Sequence, residues 1–343
     1  MLPAILLLAL LVPASALADA GEGMPECDED IPLSRAAAEL LLQARAPSPE
    51  ALTAAVREAG SDLVGVRAYL WHEGERGARD WLAKLAQGAD AMLVCGNAQN
   101  ERTRIVLAAL RGGTLAPLTR TSTLVRGSLS PGFRDPELVI ADASGELQRV
   151  RLDAARLSKG VTLADELPRP AKVQLLARGP SGPRPLAERI LPAADPNAKP
   201  LASPRAAPEL AQQGDANAAA LLSALRRDHG RPALRENALL GKVASAHAQR
   251  VCGEGRVAHE LEPGEDPERR LREAGVQAHR VGETVSRAPT ASAAFSAFER
   301  SPSHLLTLLE PSFTDAGTGV ASDTQGRNCV VVLLAAWPRF VGK

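Results

Sequence analysis

The side chains of this chain that could do chemistry are its histidines and cysteines. Of six histidines, five (His229, His247, His259, His279 and His304) fall after residue 228, and only His72 lies upstream. Imidazole can bind a divalent cation, relay a proton or simply hydrogen-bond, so this crowding directs attention to the C-terminal part. The spacing is informative mainly by exclusion. No His-Glu-x-x-His helix motif presents two imidazoles to one zinc ion, and no Gly-x-Ser-x-Gly elbow raises a nucleophile. Ser301 and Ser303 stand too close in sequence to His304 to build a triad with it, which argues against serine hydrolysis. His247 reads as a half-buried helix residue, and His229 and His279 read as loop residues.

Four cysteines allow three connectivities, and none forms a Cys-x-x-Cys zinc knuckle. Bridges Cys27–Cys95 and Cys252–Cys329 are favoured because each then stays on one side of a proline-rich stretch. Closing the longer loop would stabilise by about 4 kcal/mol on the chain-entropy model. Paired cysteines imply an oxidising compartment. The apolar run at 2–12, followed by Ala16-Leu17-Ala18, reads as a signal peptide over 1–18. The expected destination is secretion, either periplasmic or extracellular. No later run approaches the ~20 apolar residues of a membrane span, so no anchor is expected after cleavage. Forty cationic and forty acidic side chains give zero formal charge, which disfavours nucleic acid as a partner.

The elements that must position these groups fall into successive blocks. Residues 19–115 read as a mixed α/β segment: helical spacing at 32–45 and 49–59, an apolar run at 63–71, a helical stretch at 80–86, and strand-like runs at 91–94 and 105–110. Over 116–191 the pattern becomes short strands separated by Pro131-Gly132, Ala143-Ser144-Gly145 and Gly179-Pro180, as in a small β-sandwich. Residues 192–215 are a Pro/Ala-rich linker. Beyond it come helices around 216–228 and 239–251, a third at 291–300, and a hairpin of 316–321 with 329–336. A faint internal echo sets Cys95-Gly96-Asn97-Ala98 and 105–109 against Thr318-Gly319-Val320-Ala321 and 332–336. It would make residues 33–110 an eroded copy of the C-terminal fold, although short apolar runs ending in alanine recur by chance.

Within 216–343 the order of residues resembles the CAP superfamily: cysteine-rich secretory proteins, antigen 5 and pathogenesis-related proteins, in the bacterial form called SCP-like. The likeness covers about 216–338. It is carried by a Leu-x-x-Leu-Arg-x-x-x-Gly start, a histidine followed by Arg-Leu-x-x-Ala-Gly, the pair Gly282-Glu283, Ser301-Pro302-Ser303-His304, and a Pro-Ser-Phe-x-x-x-Gly-x-Gly-Val strand entry. The resemblance implies a C-terminal α-β-α sandwich, which together with the β-sandwich and the α/β segment read from the pattern makes an α+β chain. It also implies a cleft lined by two histidines and two acids. His259, Glu283 and His304 match three of these positions; Ser301 occupies the fourth, and Thr284 stands where the family usually has asparagine.

Two neutral imidazoles and a carboxylate could hold Zn²⁺ with one open position and polarise a water. On that reading His259 and His304 are the metal ligands and Glu283 the base of a hydrolase. The leading expectation is instead a non-enzymatic binding module, whose cleft of His259, Glu283, His304 and Ser301 takes a small lipid-like molecule or cell-envelope component, with or without a divalent cation. A structural envelope protein is the third reading.

Overall fold

The computed structural model describes residues 27–337, apart from 44, 74–76, 196 and 198–217. The expected signal peptide and most of the expected linker lie outside the described residues. Helices and sheets mix in an α+β chain of three units.

The first unit runs β1 (Asp28–Glu29), α1 (Ile31–Leu41), α2 (Pro49–Glu58), β2 (Arg67–His72), α3 (Arg79–Ala86), β3 (Met92–Gln99) and β4 (Thr103–Arg111). Its helices start where local chemistry satisfies the first backbone donors. Asp30 accepts from Leu33 N at 2.8 Å, and Ser48, followed by Pro49, accepts from Ala51 N at 3.2 Å. The sheet order is β1-β3-β4-β2, with β1 parallel to β3. Leu33, Ala37 and Leu40 pack on one face against Val94, Ile105 and Leu107; Leu82 of α3 packs on the other against Leu93, Val106 and Ala108. The Cys27–Cys95 bridge ties the chain ahead of β1 to β3.

The second unit contains β5 (Gly113–Leu115), β6 (Leu124–Val125), β7 (Gly127–Leu129), β8 (Arg134–Ala141), β9 (Leu147–Arg151), α4 (Ala154–Lys159), β10 (Val161–Thr162), β11 (Ala171–Gly179) and β12 (Gly182–Leu191). A four-stranded antiparallel sheet, β12-β11-β8-β9, faces the two-stranded ribbons β5-β7 and β10-β6 rather than a second full sheet. Helix α4 completes this cover through Leu157, which shares a core with Leu138, Ile140, Val173 and Leu175. Residues 124–129 form two short strands, β6 and β7, interrupted at Arg126.

The third unit runs α5 (Ala218–Asp228), β13 (Arg235–Glu236), α6 (Ala238–Glu254), α7 (Pro267–Glu273), β14 (Arg280–Ala288), α8 (Ala291–Arg300), α9 (Pro302–Leu309), β15 (Asp315–Ser322) and β16 (Asn328–Ala336). Strand β16 is central, and its residues from Cys329 to Ala336 are buried. Such a continuous apolar run is what a strand covered on both faces requires. Val331 and Leu333 meet Leu240, Ala244 and Val251 of α6; Val330, Val332 and Leu334 meet Leu222, Phe295, Phe298 and Leu308 on the opposite side. This is a three-layer α-β-α sandwich, closed by the Cys252–Cys329 bridge.

The first and third units share one topology. The sheet order β13-β15-β16-β14, with β13 parallel to β15, repeats β1-β3-β4-β2. The register agrees as well: Glu29 pairs with Cys95 as Glu236 pairs with Ala316, and the row Ala68, Leu107, Gly96 corresponds to Glu283, Leu333, Gly317. Both glycines lie where a helix touches the sheet. A Cβ on Gly96 would sit 2.3 Å from the Leu33 carbonyl carbon, and one on Gly317 would sit 2.2 Å from that of Leu240. The sequence echo therefore had the right segments in a shifted register, because Cys95 corresponds to Ala316, not Thr318. Where the third unit carries Glu283, the first carries Ala68.

Candidate functional site

His259 lies in the loop between α6 and α7, Glu283 projects from β14 and His304 sits in the first turn of α9. The fold brings all three to one cavity of about 550 Å³. The Glu283 side chain is 1% exposed, and both of its oxygens are occupied. His259 Nδ1 donates to Oε1 at 2.8 Å, and Arg270 of α7 donates through Nη2 to Oε2. A buried carboxylate is tolerated when it is paired and hydrogen-bonded in this way. Burial opposes ionisation of Glu283, but the His259 hydrogen bond and the charges of His259, Arg270 and His247 outweigh it, holding the carboxyl below its usual range.

Arg270 is also fixed from behind, since its Nη1 donates to the carbonyls of His259 and Glu265, each at 2.7 Å. His247 on α6 lies beneath the site. At 1% exposure it is fully buried, not the half-buried helix residue expected from sequence. Its Nε2 bonds the Ala258 carbonyl at 2.9 Å, and burial first of all pushes its pKa down.

His304 stands apart from the hydrogen-bonded set. Its ring packs 5.3 Å from that of Phe298, and its buried Nδ1 has no hydrogen-bond partner. Burial, with a smaller contribution from the nearby His259, pushes its pKa down to about 4, so the imidazole is neutral at pH 7. Ser301 points elsewhere: its hydroxyl donates to Gln174 Oε1 at 3.3 Å and lies 3.2 Å from that of Ser303.

The second unit covers this cleft. The Ser181 carbonyl accepts from the backbone N–H groups of His259 and Glu260, each at 3.2 Å, and Arg178 pairs with Glu260 at 2.7 Å. Gly182 is required at this contact, because its φ is +94° and an added Cβ would sit 2.8 Å from His259 Cβ. Gln174, 2% exposed, also accepts from Ser303 N at 3.1 Å. The β11-β12 hairpin is thus fastened across the histidine loop and the start of α9.

A cation site built from His259, Glu283 and His304 does not fit this geometry. Each Glu283 oxygen already accepts a hydrogen bond, one from His259 and one from the Arg270 guanidinium, and the side chain is 1% exposed, so the carboxylate is committed to its partners. Among the described residues, no group of three His, Cys, Asp or Glu side chains could hold a metal ion. Sequence reasoning missed Arg270, Gln174, Arg178 and Glu260. Of these only Arg270 left a signal, as the arginine of the Arg-Leu-x-x-Ala-Gly stretch.

Residues 219–334 match the family described as the cysteine-rich secretory protein family, CAP. The C-terminal unit is a CAP domain. Similar solved structures include an outer surface protein of Borrelia burgdorferi, with 20% identity over 35% of this chain and 90% of that one, at a TM-score of 0.33. An extracellular SCP-domain protein of Bacillus anthracis shows 15% identity over 55% of this chain and 64% of its own length, at a TM-score of 0.33. A cysteine-rich secretory protein of Staphylococcus aureus shows 12% identity over 90% of this chain and 98% of that one, at a TM-score of 0.29. No curated protein matches the sequence. Among the described residues of the chain that carries this CAP domain, no helix is long and apolar enough to cross a membrane.

Proposed function

We propose that this is a secreted CAP-domain protein that works by binding rather than by turnover. The observation that carries the reading is the pairing of Glu283: a hydrolase of this cleft needs a carboxylate free to take a proton from water, whereas this one is 1% exposed and its two oxygens accept hydrogen bonds from His259 and Arg270. What remains for a ligand is His304, neutral and with an unpartnered ring nitrogen, beside His259 and the apolar side chains of Leu306 and Phe313. Such a wall suits a small, partly apolar molecule of the lipid-like or cell-envelope kind. A divalent cation, if bound here, has two imidazoles to hold it and no carboxylate.

Isothermal titration of Zn²⁺ into the purified chain, beside the His259→Ala/His304→Ala double variant, tests this reading. The expected result is no tight one-to-one binding by the wild type. Tight binding that disappears in the double variant would overturn the reading and make the metallohydrolase the better account. The structural reading draws on a different observation, the fastening of the β11-β12 hairpin over the cleft. It predicts that Arg178→Ala loosens the second unit from the CAP domain, seen as faster amide exchange at His259 and Glu260.

A further inference from the structure

A second cavity, of about 980 Å³, lies where the three units meet, walled by β2, by the β11-β12 hairpin and by β14 with α8. Its charge is one-sided. Seven cationic side chains line it against a single carboxylate, Glu188, in a chain whose formal charge is zero. Four of the seven are neutralised locally: Lys172 by Glu188 at 3.2 Å, Arg184 by Asp90 at 2.6 Å, Arg189 by Asp62 at 3.9 Å and Arg300 by Glu50 at 3.4 Å. Arg57, Arg67 and Arg287 have no acidic partner among the described residues.

Arg67 on β2 and Arg287 on β14 come from the edge strands of the two related sheets. The one carboxylate that acts on Arg287, Asp323, is already committed to Arg327 through contacts of 2.8 and 2.9 Å. Arg287 is half-buried and Arg67 lies exposed at the rim of the cavity; burial, then the charges of Arg327 and Arg67, push the Arg287 pKa down to about 10. Like charges lining one cavity repel each other, and an anion placed between them relieves that repulsion. Guanidinium groups meet that need best with carboxylate or phosphate oxygens, which they can bind in pairs.

We propose that this cavity is a binding site for a small organic anion, its carboxylate or phosphate held by Arg67 and Arg287 and its apolar part packed on Val66, Val285 and Phe298. Arg67 and Arg287 lie outside the His259 cleft, although Arg184, Pro185 and His304 line both cavities, and the proposal does not rest on the function proposed for that cleft. Calorimetric titration of the purified chain with phenyl phosphate, inorganic phosphate and uncharged benzyl alcohol tests the proposal, beside Arg67→Gln/Arg287→Gln and His259→Ala.

Phenyl phosphate should bind one per chain, at least tenfold more tightly than inorganic phosphate and with benzyl alcohol silent. The arginine double variant should lose at least tenfold in affinity while keeping or raising its melting temperature, and His259→Ala should bind as the wild type does. Failure of the wild type to bind phenyl phosphate, or unchanged binding by the arginine variant, would overturn the site. Equal affinity for inorganic phosphate would overturn the apolar part of the recognition. Loss of binding in His259→Ala would overturn the assignment of the anion to Arg67 and Arg287 and place it in the His259 cleft.

Discussion

Replacing Glu283 by glutamine tests the account of the cleft most directly. The substitution preserves shape but removes the charge that His259 and Arg270 share, leaving the Arg270 guanidinium in a position where it is 8% exposed. Removing one partner of a buried ion pair costs about 3–5 kcal/mol. The lower end applies here, because Arg270 keeps the carbonyls of His259 and Glu265 as acceptors. Urea unfolding at pH 7 should therefore show a loss of about 3 kcal/mol. The double variant Arg270→Met/Glu283→Leu, which removes both charges together, should lose less than the single one, since apolar replacement of a whole buried pair is often close to neutral.

The pH dependence has a fixed sign. The Glu283 carboxyl is depressed in the folded state. Its stabilisation is present above the unfolded value of about 4.3 and is lost as pH falls through the lower folded one. The gap between wild type and Glu283→Gln should accordingly be constant at neutral pH and close only below about pH 4. A Glu283→Gln loss under about 1 kcal/mol would refute the claim that this carboxylate is a buried, saturated partner and not a solvated base.

Three other outcomes are expected. His304, held neutral with a folded pKa of about 4, binds fewer protons than the unfolded chain below pH 6.5. Its contribution should lower stability progressively from about pH 6.5 down to about 4, by at most about 3 kcal/mol, and His304→Gln should flatten that limb in pH-dependent melting. Cys252→Ser/Cys329→Ser should cost about 4 kcal/mol in chemical denaturation, because the bridge closes a loop 77 residues long. Gly96→Ala and Gly317→Ala should each cost about 3 kcal/mol or more in the same assay, since the new methyl groups would meet helix backbone instead of a yielding side chain.

Much of this protein is legible residue by residue. Ser48-Pro49 marks the start of α2, and the apolar run from Cys329 to Ala336 marks a strand buried on both faces. The ordered motifs around His259, Gly282-Glu283 and Ser301-Pro302-Ser303-His304 mark the CAP domain, now matched over residues 219–334. The disulfide pairs were legible too, from keeping each bridge within one half of the chain, and both are present. These features depend on local dihedral preference, hydrophobic period and short-range capping, which the sequence alone contains.

The role of each site residue was decided elsewhere. Whether Glu283 is a base or a saturated partner depends on Arg270, which reaches it only because α7 packs beside β14. Whether Ser301 faces a ligand or Gln174 depends on the second unit, more than a hundred residues upstream. The shared topology of the first and third units had decayed to a shifted echo in sequence, while strand register kept Gly96 and Gly317 in equivalent rows. A net charge of zero likewise gave no sign of a cavity with seven cations facing one acid. Sequence constrains what each segment can be, whereas the energy of a charge or a hydrogen bond depends on distance and burial, and those are fixed only when distant segments pack.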